Sequence, residues 1–149
     1  MAQGENNDGE LGDSTTLSRN QPGPVPGLTD VVAVGAGGDH AVALRADGTV
    51  WCWGKGSSGQ LGLADTVSRL APTQVPGLSG VVAVAAGQSH SLAATASGEL
   101  WAWGANSGSQ LGDGTSTSRS SPVRVVGLTG VVTAAAGWSH SLAATADGR

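Results

Sequence analysis

The chain has 149 residues, 25 of them glycine, and carries 11 acidic against 7 basic side chains for a net charge of −4. The basic residues are scattered singly, which argues against a nucleic-acid partner, and the one cysteine, Cys52, excludes a disulfide framework or a thiolate metal cage. No basic start with an apolar stretch marks a signal peptide, the apolar runs are far too short to span a bilayer, and nothing addresses the chain to a compartment.

Taken in order, residues 1 to 30 align with residues 51 to 80, so the chain opens inside a unit. Met1-Ala2-Gln3 stands where Trp51-Cys52-Trp53 stands, Gly4 to Ser18 reads as a long polar loop, and Pro24-Val25 as a short outermost strand. The first full unit, 31–80, gives strands at Val31 to Val34, His40 to Arg45, Val50 to Trp53 and Thr73 to Val75, with Asp47-Gly48 as a type I′ turn. The second, 81–130, repeats this with Val81 to Ala85, Ser91 to Thr95, Leu100 to Trp103 and Val123 to Val125. The third, 131–149, holds Val131 to Ala135 and Ser141 to Thr145 and stops at Asp147-Gly148-Arg149 before a tryptophan strand.

The units stay in register without a gap: His40, His90 and His140 recur every 50 residues, as do Leu11, Leu61 and Leu111 or Arg19, Arg69 and Arg119. A period of this length, with several short apolar runs bounded by Gly, Pro, Asp or Ser, is that of a β-propeller blade; glycine and proline punctuate too often for a helical repeat. The expected fold is all-β, a propeller segment of three four-stranded antiparallel blades with the last one incomplete, forming one domain.

The stretch Gly87 to Gly112, GQSHSLAATASGELWAWGANSGSQLG, and its copy Gly37 to Gly62 resemble the regulator-of-chromosome-condensation repeat family, whose unit runs GxxHSLAxxxDGxLWxWGxNxxGQLGxG. The likeness covers essentially the whole chain. It implies a propeller of seven blades and relatives as diverse as an exchange factor for a small nuclear GTPase, a β-lactamase inhibitor and an ultraviolet-B photoreceptor built on clustered tryptophans. Of the last motif only Trp138 is present, Gly38 and Gln88 standing at the equivalent places.

Trp51, Trp53, Trp101 and Trp103 alternate along their strands and read as anchors between blades, with Cys52 pointing the opposite way. His40, His90 and His140 invite a three-imidazole metal site, yet no acidic residue recurs beside them, and a repeated hydrogen bond tying the inner turn is the simpler reading. Gly54 to Gly59 fits G-x-G-x-x-G but has no following helix, and Ser89-His90-Ser91 forms no triad. No catalytic residue, cofactor or metal is expected.

Scaffold positions recur while a recognition surface need not, so the varying positions are the candidate contacts: Asp39, Gln88 and Trp138 in the tight turns, Lys55 and Asn106 in the long loops. The expected function is a non-enzymatic protein–protein interaction scaffold. The alternatives are a regulator of a small GTPase and, more remotely, a metal-dependent enzyme using the three histidines. A homodimer is expected, the first strands of one copy completing the last blade of another, unless the chain is part of a longer propeller.

Overall fold

Glycine or proline interrupts the chain every few residues, so only short extended segments form, and valine, tryptophan and small residues concentrate in them. The computed structural model describes residues 1–149. Its twelve strands, with no helix, are β1 (Ala2–Gly4), β2 (Arg19–Gly23), β3 (Val31–Ala36), β4 (His40–Arg45), β5 (Val50–Gly54), β6 (Arg69–Gln74), β7 (Val81–Ala86), β8 (His90–Thr95), β9 (Leu100–Gly104), β10 (Arg119–Arg124), β11 (Val131–Ala136) and β12 (Ser141–Thr145). Strands β3 to β6 and β7 to β10 are two four-stranded antiparallel meanders, while β1–β2 and β11–β12 are two-stranded sheets at either end. The fold is a partial β-propeller.

Within each full blade the second and third strands pair residue for residue, Ala41 with Trp53 and Ala43 with Trp51, then Ser91 with Trp103 and Ala93 with Trp101. Alternation along the strand sends tryptophans to one face and Val50, Cys52, Leu100 and Ala102 to the other. The core therefore lies between blades. Val42, Leu44, Val50 and Cys52 of the first full blade meet Ala93 and Trp103 of the second, closed by Leu61, Val75, Leu78 and Val81. A second cluster of Leu92, Leu100, Ala102, Leu111, Val125 and Val131 takes Ala134, Ala136 and Ala143 of the last sheet against it. Burial pushes the Cys52 thiol far above its ordinary pKa.

Two details differ from the sequence reading. The outer strands run over Arg19–Gly23, Arg69–Gln74 and Arg119–Arg124, so Pro24-Val25 lies beyond its strand and Thr73 to Val75 and Val123 to Val125 overlap only the strand ends; each strand opens on an arginine held by a loop aspartate, Asp13, Asp65 or Asp113. Pro72 then falls where the ladder skips between Arg69 and Thr73 on an outer strand, so its lack of an N–H leaves no pairing partner unmet. The turn at Asp47-Gly48 is not type I′: only Gly48 has positive φ (79°), and its N–H donates to the Arg45 carbonyl at 2.9 Å. It is a type I turn closed by a left-handed glycine, with the Asp47 carboxylate accepting from the Thr49 N–H (3.0 Å) and hydroxyl (2.6 Å).

The tryptophans divide into two kinds. Trp53 and Trp103 are buried between sheets; Trp51 and Trp101 are half-buried, and the Trp51 indole N–H donates to Thr49 at 3.1 Å with the Arg45 guanidinium 5.8 Å from its ring centroid. Trp138 is 71% exposed. Trp103→Ala is expected to cost roughly 3–5 kcal/mol, since the two sheets cannot close on the void. Trp138→Ala should cost under about 0.5 kcal/mol. Urea denaturation of the two variants checks this; equal shifts in midpoint would contradict the division.

Candidate functional site

A four-stranded meander returns to the same end after its first and third strands. The tight turn at Gly37 to Asp39 and the long loop from Lys55 therefore meet on one face, where the Lys55 N–H donates to the Asp39 carbonyl and, one unit on, the Ala105 N–H to the Ser89 carbonyl, both at 2.8 Å. The two stretches that vary between units form a single surface.

Beneath that surface the histidines join neighbouring blades. The Ser91 hydroxyl donates to the Gln60 carbonyl at 2.9 Å, which leaves its oxygen to accept from His40 Nε2 at 2.9 Å, and the Trp103 indole N–H donates to the same carbonyl at 2.9 Å. One unit on, His90 Nε2 lies 3.0 Å from the Ser141 hydroxyl, which donates to the Gln110 carbonyl at 2.7 Å. The bond expected to tie the inner turn thus reaches the following blade instead. The turn is secured by contact: a β-carbon on Gly37 would stand 2.3 Å from His40 Cε1, so the ring leaves room for hydrogen alone. The nitrogens of His40, His90 and His140 do not come together within 4.8 Å, and no three-imidazole metal cage is assembled.

The long loops are built around side chains that the sequence reading placed elsewhere. Asn106 is not a contact residue: it is 0% exposed, its carbonyl accepts from the Leu111 N–H (3.0 Å), and its amide donates to the Thr115 and Thr117 carbonyls (both 3.1 Å). Asn6 does the same in the first loop, bonding Leu11, Thr15 and Leu17. The signal was present in the sequence as Asn6, Asp13 and Thr15 recurring as Asn106, Asp113 and Thr115, but the middle unit breaks it with Gly56, Leu63 and Asp65. Hydrogen bonds from Thr115, with the Arg119 guanidinium, hold Asp113 down to about 2. At Gly54 to Gly59 the N–H groups are used within the loop, Gly56 on Ser68, Ser58 on Gln60 and Gly59 on Gly56, so no phosphate cradle is formed.

Of the remaining candidates, Lys55 and Asp39 are partners of each other at 3.1 Å, with Asp8 3.6 Å from the same ammonium, and the hydrogen bond to Asp39 holds Lys55 above the ordinary lysine pKa. Asp8, Glu10 and Asp39 bring carboxylates within 4.8 Å of one another, with that ammonium against two of them. Gln88 and Trp138 follow along the inner turns, where the Gln88 N–H donates to the Trp138 carbonyl at 3.3 Å beside a shallow depression lined by Gly37, Gly38 and Gly87.

Burial, reinforced by the neighbouring His90, lowers His40 to about 4, and burial with His140 nearby lowers His90 in the same direction. Both rings are neutral in the folded chain and take up a proton on unfolding. The contribution of His40 to stability is complete above the ordinary histidine value of 6.5 and is lost as pH falls toward 4, and that of His90 falls in the same direction. The urea midpoint should drop between pH 7.5 and pH 5, about a unit above the ordinary aspartate range. A midpoint constant over that interval would contradict burial of the neutral rings.

Two repeat models for the regulator of chromosome condensation (RCC1) match the sequence, one over residues 2–44, 47–94 and 97–144, the other over 31–60 and 81–110. Comparison with curated proteins finds no match. Among solved structures the fold is similar to human WBSCR16, with 28% identity and a TM-score of 0.84 over 97% of this chain and 39% of that one. It is similar also to Prp20p of Saccharomyces cerevisiae, with 20% identity and a TM-score of 0.75 over 93% of this chain and 37% of that one. In the crystal structure of Kap60 bound to yeast RCC1 (Prp20), the likeness is 24% identity and a TM-score of 0.81 over 97% of this chain and 37% of that one. The chain spans about two fifths of the length of these proteins. Repeat matches over nearly every residue, on a propeller segment whose blades keep one register, show that the chain belongs to the regulator of chromosome condensation (RCC1) repeat family.

Proposed function

We propose that the protein is a non-enzymatic scaffold that presents the turn-and-loop face of its blades to a protein partner. The observation that carries this is the gathering of the varying positions on one face, with the Asp39–Lys55–Asp8 ion cluster at one end and the exposed Trp138 at the other. An exposed tryptophan on a rigid support is the kind of residue on which interface energy concentrates. Two solved structures of one relative, yeast Prp20, accord with a protein partner: in one it is described with its binding properties to Gsp1p and histones, in the other it is bound to Kap60. The contact residues of this reading are Asp39, Gln88, Lys55 and Trp138.

Each of the 7 lysine and arginine side chains lies within ion-pair distance of an aspartate or glutamate, so the chain offers no free cationic patch to phosphates. Binding to duplex DNA should be undetectable at physiological salt, and salt-sensitive micromolar binding would refute this. Affinity capture with Trp138→Ala as the paired control tests the scaffold reading: partners retained by the parent chain should be lost from the variant. Release of a fluorescent nucleotide from a small GTPase would instead favour the exchange-factor reading.

A second reading concerns copies of the chain. Sheet β1–β2 corresponds by repeat to third and fourth strands, and β11–β12 to first and second, so we propose that the two pairs from different copies would together complete one four-stranded blade. Leu142 (63% exposed) and Val34 (72% exposed) are the unit equivalents of Leu92 and Val84, which are packed between blades inside the chain. A cleft of about 630 Å³ lined by Val25, Leu28, Val31 and Val34 lies where the second copy's strands would enter. Light scattering over a dilution series should show a concentration-dependent dimer that deletion of residues 1–26 removes. A cooperatively folded monomer at every concentration would overturn it.

A further inference from the structure

The junction between the two full blades closes over a histidine that has a place for one ring proton and not for two. His40 is 2% exposed, and its Nε2 lies 2.9 Å from the Ser91 hydroxyl of the following blade. Because that hydroxyl donates to the Gln60 carbonyl, Nε2 carries the hydrogen and Nδ1 is left as a bare acceptor. No hydrogen-bond partner lies against Nδ1, and a β-carbon on Gly37 would stand 2.4 Å from it, so the inner turn is packed on that edge of the ring. A second proton would put a charged donor in a dry site with nothing to accept from it. Burial and then His90 on β8 disfavour a charged ring, while Asp39 favours one; the Asp39 carboxylate is held by the Lys55 ammonium at 3.1 Å, with Asp8 and Glu10 in the same cluster. His90 sits on Ser141 in the same way one junction on. The junction before is built differently: Ala41 stands where Ser91 stands, so no hydroxyl is there for a histidine, and the Glu10 carbonyl receives the Trp53 indole alone.

We propose that the junction between the two full blades is an acid-operated hinge: protonation of His40 parts these two sheets, while the sheets themselves and the junction before them stay closed. The buried bonds that cross the junction converge on the point of protonation, since the His40–Ser91, Ser91–Gln60 and Trp103–Gln60 contacts share the Ser91 hydroxyl and the Gln60 carbonyl. Bonds inside each blade run between backbone groups that do not titrate, as where the Val75 N–H meets the Val50 carbonyl at 2.8 Å and the Val125 N–H the Leu100 carbonyl at 2.9 Å. The direction follows from linkage: the open form takes up the proton that the closed form refuses, so opening grows as pH falls below 6.5 and levels off near 4. Asp39 and Lys55 stand on one side of the hinge and Gln88 on the other, joined across it where the Gly38 N–H donates to the Gln88 carbonyl at 3.1 Å. Acid thus splits the turn-and-loop face and releases a partner bound across it, a consequence that rests on the scaffold reading as the hinge itself does not.

Hydrogen exchange of the indole N–H groups in the full chain, followed by NMR and divided by the rate in the urea-unfolded chain at the same pH, tests this. Trp103 donates across the hinge, and Trp53 donates across the junction that lacks the histidine–serine contact. Between pH 7.5 and pH 5 the protection of Trp103 should fall at least about tenfold, while that of Trp53 and of the Val75 and Val125 amides changes less than about twofold. His40→Gln keeps a donor for Ser91 but takes up no proton, and it should abolish the fall at Trp103; His90→Gln should leave that fall in place. Should His40→Gln not fold, the parent chain supplies a second measurement: the ring nitrogen shifts of His40 should stay those of the neutral form down to pH 5. Constant protection at Trp103 overturns the proposal, as do equal falls at Trp103 and Trp53 or a fall that survives His40→Gln. So does a His40 ring that charges near pH 6.5 while Trp103 stays protected. No partner enters the measurement, so failure of the hinge and failure of the scaffold reading are told apart.

Discussion

The structure depends on one backbone carbonyl per blade junction. Gln60 turns its oxygen toward the following blade, where it receives the Trp103 indole N–H and the Ser91 hydroxyl, and that hydroxyl in turn accepts from His40 of the blade behind. A loop, a strand and an inner turn from two blades are thereby fixed around one acceptor. Every participant is buried, so water offers no substitute partner, and loss of any one leaves a polar group stranded. The joint varies at the first junction, where Ala41 replaces the serine and Glu10 receives Trp53 alone.

Since the apolar clusters lie between sheets and not within them, no blade has a core of its own. Stability is then close to a sum over junctions, in the manner of a stacked repeat. Residues that serve the junction are confined to the strands and to the feet of the loops, and the tips are free to change. Chemical variety at the turn-and-loop face is compatible with a fixed scaffold for that reason.

Much of this was legible in the sequence because one period governs both faces of every strand. A recurring His, Trp and Gly at constant spacing marks which segments are strands and in what order, but not their register: a two-residue type I′ turn at Asp47-Gly48 would set Val42 opposite Trp53, whereas the type I turn with its left-handed Gly48 sets Ala41 there. The starts of the outer strands were missed: each opens on an arginine gripping a loop aspartate, a contact between side chains that strand-forming tendency does not register. Asn106 was misread for a related reason: variation between units resembled an exposed tip, whereas the asparagine is the centre of its loop and the middle unit has a different loop, with Gly56 held by Ser68. The ion pair between Lys55 and Asp39 joins two turns that only the meander brings together.

Cys52 gives the molecule a reporter of its own. It is the sole thiol, its sulfur is sealed in the junction between the two full blades, and burial disfavours the thiolate that alkylating or oxidising reagents require. While those blades stay closed the sulfur is chemically silent. Any reagent that marks it is therefore counting separations of one particular pair of sheets, at one seam, and not the fraying of loops or ends.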